Sequence, residues 1–133
     1  MCGIAGFFNR PENWKENITR MNNRMIHRGP DAQEYWSDND GNVVLGHVRL
    51  SILDLSDAGS QPMVSHDGRY IMVLNGEIYN YVDLKKKLLL ERKIDSFKGH
   101  SDTEALLEYV AAYGFESALN ASIGMFAVGV YDR

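Results

Sequence analysis

Cys2 is the only cysteine in the chain, and its position offers a route to nucleophilic chemistry. The thiolate is the attacking form, and an ordinary thiol is only a few per cent ionised at neutral pH, so a base is required. No adjacent Cys-His arrangement supplies one. Removal of Met1 would expose an α-amine with a pKa of about 7.7–8.0, able to take the thiol proton and later deliver it to departing ammonia. Nucleophile and base would then be one residue. Position alone favours a plainer reading, in which Cys2 is a small hydrophobe packed in an apolar strand.

Other residues change that balance by their company. Arg49 follows an apolar run and precedes Leu50-Ser51-Ile52, where a buried guanidinium is costly unless it meets an anion. The α-carboxylate of an amino acid would suit its planar fork, although an arginine standing alone is more often exposed or ion-paired. Asn75-Gly76-Glu77 comes just past the most apolar run of the chain. An Asn amide and a Gly backbone N–H can together stabilise an oxyanion, yet Asn-Gly is also a common turn. Asp102 stands in Ser101-Asp102-Thr103-Glu104, where a carboxylate can pair with a substrate ammonium or simply favour a helix N-terminus. Ser101 and Glu104 fit a capping box. His47 shares a strand face with Arg49 and reads as a packing residue. The four histidines show no metal-ligand spacing, so no metal is expected.

These residues need elements to place them. Gly3 to Phe8 reads as a buried opening strand, and Glu16 to about His27 as a helix with Ile18, Met21 and Met25 inward. Arg28-Gly29-Pro30-Asp31 ends that helix, because proline restricts the residue before it and lacks an N–H. Tyr35-Trp36 and Val43-Val44-Leu45 flank a turn at 37–41, the pattern of a hairpin whose second strand runs towards Leu50. Tyr70 to Leu74 predicts a strand covered on both faces and ending at Asn75-Gly76. A helix is expected over 82–91, a short strand over 94–97, and a helix over 102–113 with Leu106, Tyr109, Val110 and Tyr113 on one face. Met125 to Tyr131 predicts a last buried strand. Interspersed helices and strands covered on both sides favour helices outside two stacked sheets.

At 133 residues and 44% hydrophobic, the chain is long enough for one domain with a real core. Its formal charge of -4 supplies no basic field, so neither nucleic acid nor an anionic membrane is an expected partner. A small zwitterionic substrate is compatible with it. One cysteine allows no internal disulfide, and no secretion signal or membrane span is visible, which makes the cytoplasm the expected setting.

The chain resembles the class II, N-terminal-nucleophile glutamine amidotransferases, most of all the glutaminase domain of asparagine synthetases. The stretches that carry the resemblance are Met1-Cys2-Gly3-Ile4-Ala5-Gly6, His27-Arg28-Gly29-Pro30-Asp31, Arg49-Leu50-Ser51-Ile52, Gln61-Pro62-Met63, Asn75-Gly76-Glu77-Ile78-Tyr79-Asn80, Ser101-Asp102-Thr103-Glu104 and Gly124-Met125-Phe126-Ala127. They span almost the whole chain in the family's order.

The resemblance implies an α+β fold, a four-layer αββα sandwich, and glutamine as substrate. It casts Cys2 as nucleophile and base, Asn75 and Gly76 as oxyanion hole, and Arg49 as the α-carboxylate clamp. Asp102 and Glu77 would hold the α-ammonium group or shape its pocket, with Leu50 and Ile52 completing the substrate-binding set. The Arg28 to Asp31 loop would order the site. Family domains run on past the strand that ends here, so residues 1–133 are expected to form a glutaminase domain lacking its closing strands. No cofactor is expected for it; ATP and Mg2+ belong to a synthetase domain, which this chain lacks and which a longer parent chain or a separate subunit would supply. Two other readings stand beside this one: a silent glutamine-binding module that keeps Met1, and an N-terminal-nucleophile peptidase.

Overall fold

The computed structural model describes residues 2–133. Two antiparallel three-stranded sheets and four α-helices make an α+β fold. One sheet has the order β1-β3-β2, from β1 (Gly3–Phe8), β2 (Ala32–Ser37) and β3 (Val43–Arg49). The other has the order β4-β5-β6, from β4 (Met63–Val64), β5 (Tyr70–Ile78) and β6 (Gly124–Asp132). Helix α1 (Trp14–Met25) packs on the first sheet. On the second sheet, α3 (Asp102–Tyr113) lies against β4 and β5, flanked by α2 (Tyr81–Leu90) and α4 (Phe115–Ala121). The sheets meet through β1, β3 and β5, an arrangement compatible with a sandwich whose helices lie outside.

Burial explains the second sheet's side of the molecule. Met72, Leu74 and Ile78 of β5 join Leu84 and Leu88 of α2, Leu106, Leu107 and Val110 of α3, and Ala118 of α4 in one apolar cluster. Each large aliphatic side chain removed from water there contributes about 1.5–3 kcal/mol. Helix α3 is buried from Asp102 through Val110, on every face, because β4, β5, α2 and α4 surround it. The single apolar stripe expected of it is therefore too narrow. Its buried polar groups are met instead: Thr103 Oγ1 accepts from Gln61 Nε2 at 3.1 Å, and Glu108 accepts from the His66 N–H at 2.9 Å.

Several expectations hold closely. The 37–41 turn joins β2 and β3, with the Asp38 carboxylate accepting from the Val43 N–H at 2.8 Å. Helix α3 starts and stops where expected, and Ser101 caps it by accepting from the Glu104 N–H at 3.2 Å. The Glu104 side chain does not complete the capping box; it accepts from the Lys98 and Gly99 N–H groups at 2.7 and 2.9 Å.

Others need correction. Residues 94–97 form no strand, and Ile94 and Phe97 pack from a loop against the apolar cluster. Strand β6 is not buried: it is an edge strand with Met125 74% exposed. On α1, Asn22 rather than Met21 lies inward beside Ile18, since its amide can donate to the Glu34 carbonyl at 3.0 Å. Strand β4 and helix α4 carry too little periodicity to have been read. Most important for the site, β5 does not stop at Leu74 but continues to Ile78, so Asn75, Gly76 and Glu77 lie within a strand.

His47 ties the two sheets together. Buried on β3, it donates from Nε2–H to the Leu74 carbonyl of β5 at 3.2 Å, and burial drives its pKa down to about 4. The unfolded chain takes up this proton below about pH 6.5 and the folded chain only near 4, so stability falls as pH drops through that window, by about 3 kcal/mol from this residue. Denaturant titrations across pH 4–6.5 should show this slope in the parent and a flatter one in His47→Gln; equal slopes would remove His47 as the cause.

Candidate active site

Strand β4 is two residues long and pairs only with Ile71 and Met72. Beyond Met72 the same edge of β5 has no strand beside it, and its backbone groups must find other partners. Leu74 shows the solution: its N–H donates to Gln61 Oε1 at 2.6 Å, while its carbonyl accepts from His47 Nε2–H. Two turns of the pleat later, the Ile78 N–H donates to Asp102 Oδ2 at 2.9 Å. Alternate residues of a strand direct their backbone groups to the same edge. Gly76, between Leu74 and Ile78, lines the cleft that opens along this edge.

A cleft enclosing about 70 Å³ lies there, walled by Cys2, Arg49, Leu50, Ile52, Asp54, Gln61, Gly76, Glu77, Asp102 and their neighbours. At about 10–15 Å³ per water-sized group, it suits a small polar molecule. Among the expected site residues, Cys2, Arg49, Leu50, Ile52, Gly76, Glu77 and Asp102 all reach it. Asn75 does not form its wall. It sits on the face of β5 shared with Val73 and Glu77, turned towards the first sheet, and its side-chain oxygen is buried without a partner. An amide's oxygen and nitrogen exchange places by a half-turn, so a donor can equally occupy that position.

Gly76 is fixed by conformation and by space. Its φ is +143°, and a Cβ there would lie 2.5 Å from Phe126 Cα and closer still to the Met125 carbonyl. No other residue fits without moving β6.

Cys2 is half-buried, with its sulfur between the Leu50 N–H at 3.4 Å and the Leu50 carbonyl at 3.7 Å. The loop after α1 supports both ends of this contact: Arg28 Nε donates to the Cys2 carbonyl at 3.1 Å, and Asp31 accepts from the Ser51 N–H at 2.7 Å. That is the ordering role expected of Arg28 to Asp31.

Arg49 is buried, and its guanidinium donates to the Ser56 carbonyl at 3.0 Å and to the Asp54 carbonyl. Gly59 packs directly against it, leaving no room for a side chain. Among the described residues no carboxylate pairs with Arg49 within 4.0 Å. Asp102 in the same cleft lining is buried, and desolvation raises its pKa despite hydrogen bonds from the Ile78 and Thr103 amides. Nearby Glu77 pushes in the same direction. The cleft lining thus holds both a buried guanidinium and a buried carboxylate.

Asp54, Gln61 and Thr103 were not singled out from the sequence as site residues. Asp54-Leu55-Ser56 has the spacing of an Asx turn, which was the available signal. Gln61 was visible only as part of a motif, and Thr103 only as part of a helix start.

Among the described residues, no group of His, Cys, Asp and Glu is placed to hold a metal ion, and no helix is long and apolar enough to cross a membrane.

A short open edge of β5, a thiol at the head of β1 and a cleft lined by both a buried arginine and a buried aspartate agree with what sequence comparison finds over the same residues. The chain belongs to the glutamine amidotransferase domain family, whose pattern it matches over residues 1–133. Its relatives include the glutamine-hydrolyzing asparagine synthetases 1 and 2 of Bacillus subtilis strain 168, 39% and 36% identical over the whole of this chain. Amidase chry2 of Gibberella zeae is 35% identical, again over the whole chain. The chain spans only 21%, 17% and 21% of the lengths of these three proteins, respectively.

Gly76→Ala should lower stability by about 3 kcal/mol or more, since both φ and the Met125 carbonyl oppose a side chain. Gly68→Ala, at φ +78° with nothing within 4 Å of a Cβ, should cost only about 1 kcal/mol. Chemical denaturation of the two variants checks this, and equal losses would show that the contact with β6 is unimportant.

Proposed function

We propose that this domain hydrolyses the side-chain amide of glutamine to glutamate and ammonia, with Cys2 as nucleophile. The observation that carries the reading is the convergence of Cys2, Arg49, Gly76 and Asp102 on the lining of one small cleft. Arg49 has two N–H groups committed to carbonyls and retains others for an α-carboxylate. Asp102 binds the α-ammonium group with help from Glu77, while Leu50 and Ile52 line the passage between them. So held, the substrate's amide lies towards the thiol.

With Met1 removed, the Cys2 amine takes the thiol proton and sulfur attacks the amide carbon. The carbonyl oxygen becomes an oxyanion, met by the Gly76 N–H, while Asn75, the second donor expected from the sequence, lies outside the cleft wall. Collapse of this intermediate breaks the C–N bond, and the proton returns from the amine to the leaving ammonia. A thioester remains. Water, deprotonated by the same amine, attacks it and releases glutamate and free Cys2.

The two facing sheets with outer helices suit an N-terminal-nucleophile sandwich. In a parent of the relatives' length, the ammonia would feed an ATP- and Mg2+-dependent amidation by a synthetase domain, in the same chain or a partner subunit. That supply role rests on the relatives named as asparagine synthetases and on this chain's small share of their length.

Purified chain with Met1 removed should release ammonia from glutamine, and Cys2→Ala should abolish it. Cys2→Ser should retain only weak activity, because a hydroxyl is the poorer nucleophile. Hydrolysis undiminished in Cys2→Ala would remove Cys2 from the mechanism; tight glutamine binding without turnover would favour a silent binding module.

Asp102 adds a pH signature. Its raised pKa means that acidification discharges it before an ordinary carboxylate would be discharged, so glutamine binding weakens as pH falls through that raised value. KM measured against pH should rise on the acidic side in the parent, and Asp102→Asn should show a higher KM without that rise.

A further inference from the structure

The Asp54 side chain touches neither Arg49's guanidinium nor any reacting atom, yet it organises the loop that holds Arg49. Oδ1 accepts from the Ser56 N–H at 2.8 Å and from the Ser56 hydroxyl at 2.6 Å. Oδ2 accepts from the His100 N–H at 2.7 Å. One carboxylate thereby closes the 54–56 turn and pins it to the segment leading into α3. The carbonyls fixed by that turn are those of Asp54 and Ser56, the two that receive the Arg49 guanidinium. The residue after the His100 contact is Ser101, the cap of α3, and Asp102 follows it. Lys85 strengthens the same junction by donating from Nζ to the Gly99 carbonyl at 3.0 Å.

We infer that Asp54 is a positioning residue for amino-acid recognition: it sets the Arg49 fork and, through His100, fixes its separation from the Asp102 carboxylate in the cleft. This rests on the glutamine reading for the identity of the ligand. The separation between a cationic and an anionic subsite is what distinguishes an α-amino acid from a plain amide. Misplacing one of them weakens ground-state binding and leaves the thiol and the Gly76 N–H in place. The group itself is suited to the task. Hydrogen bonds from the Ser56 hydroxyl and the His100 amide hold its pKa down at about 2, so it stays ionised throughout the working range.

Asp54→Asn tests this, because Asn can still accept from Ser56 but turns an N–H2 towards the His100 N–H. Hydrogen bonds to a charged group carry enough energy that loss of one should raise KM for glutamine about tenfold or more, with kcat changed by less than about threefold. The affinity for L-glutamate, measured by calorimetry, should fall by a similar factor. In an Arg49→Lys background the same substitution should cost less than about threefold further, since both changes act on one fork. Ser56→Ala, which removes a single bond to Asp54, should shift KM the same way by a smaller factor and decides the matter if Asp54→Asn does not fold. Unchanged KM and glutamate affinity, a loss confined to kcat, or losses that multiply in the Arg49→Lys background would overturn the inference. A parent chain that binds glutamate but releases no ammonia would sink the hydrolytic reading alone, leaving the glutamate-affinity comparison to decide on Asp54.

Discussion

A strand that outruns its neighbour governs this structure. Strand β5 has nine residues and β4 only two, so most of one β5 edge faces no partner strand. Buried backbone groups cannot be left without hydrogen bonds, and an open edge invites whatever can supply them. Here side chains do so from three directions: Gln61 from the loop before β4, His47 from the other sheet, and Asp102 from the start of α3. Each contact is at once structural and architectural for the cleft. They bring the second sheet, the first sheet and the buried helix to one short stretch of backbone, on which Gly76 lies.

The same economy holds for the charged groups. Arg49 is kept buried by carbonyls rather than by a carboxylate, which satisfies some of its donors without neutralising it. Asp102 is kept buried by amide N–H groups. A bare buried charge is costly, but a charge solvated by fixed dipoles can wait for a ligand of opposite sign. Two such charges in the lining of one small cleft would suit the zwitterionic end of an amino acid. Placing them so depends on the 50–60 loop and the 97–101 segment meeting at Asp54, a contact between parts of the chain over forty residues apart.

Local signals made much of this legible. The hairpin over β2 and β3 follows from turn residues between apolar runs, and α3 from Ser101 with the periodicity beyond it. Cys2, Arg49, Gly76 and Asp102 were each ambiguous as single residues, and only their order along the chain made them a set. What stayed hidden depends on tertiary contacts. The continuation of β5 through Asn75-Gly76 defies turn chemistry because β6 pairs with it along its full length. Strand β6 itself looked buried because apolar residues alone do not reveal whether a sheet continues past them. The 94–97 strand failed because Ile94 and Phe97 are apolar for packing from a loop, not for pairing. Asp54 went unnoticed since an Asx-type spacing is common, and nothing local ties it to His100.

The central claim is that Cys2 and the Arg49–Asp102 cleft form one site for glutamine. It is tested most directly with a glutamine analogue bearing a thiol-alkylating group in place of its amide, followed by mass analysis of the Cys2 peptide. The account predicts stoichiometric labelling of Cys2, slowed by excess glutamine or glutamate and much slower in Arg49→Met. Labelling no faster than that of a simple exposed thiol, and indifferent to glutamine, would contradict it.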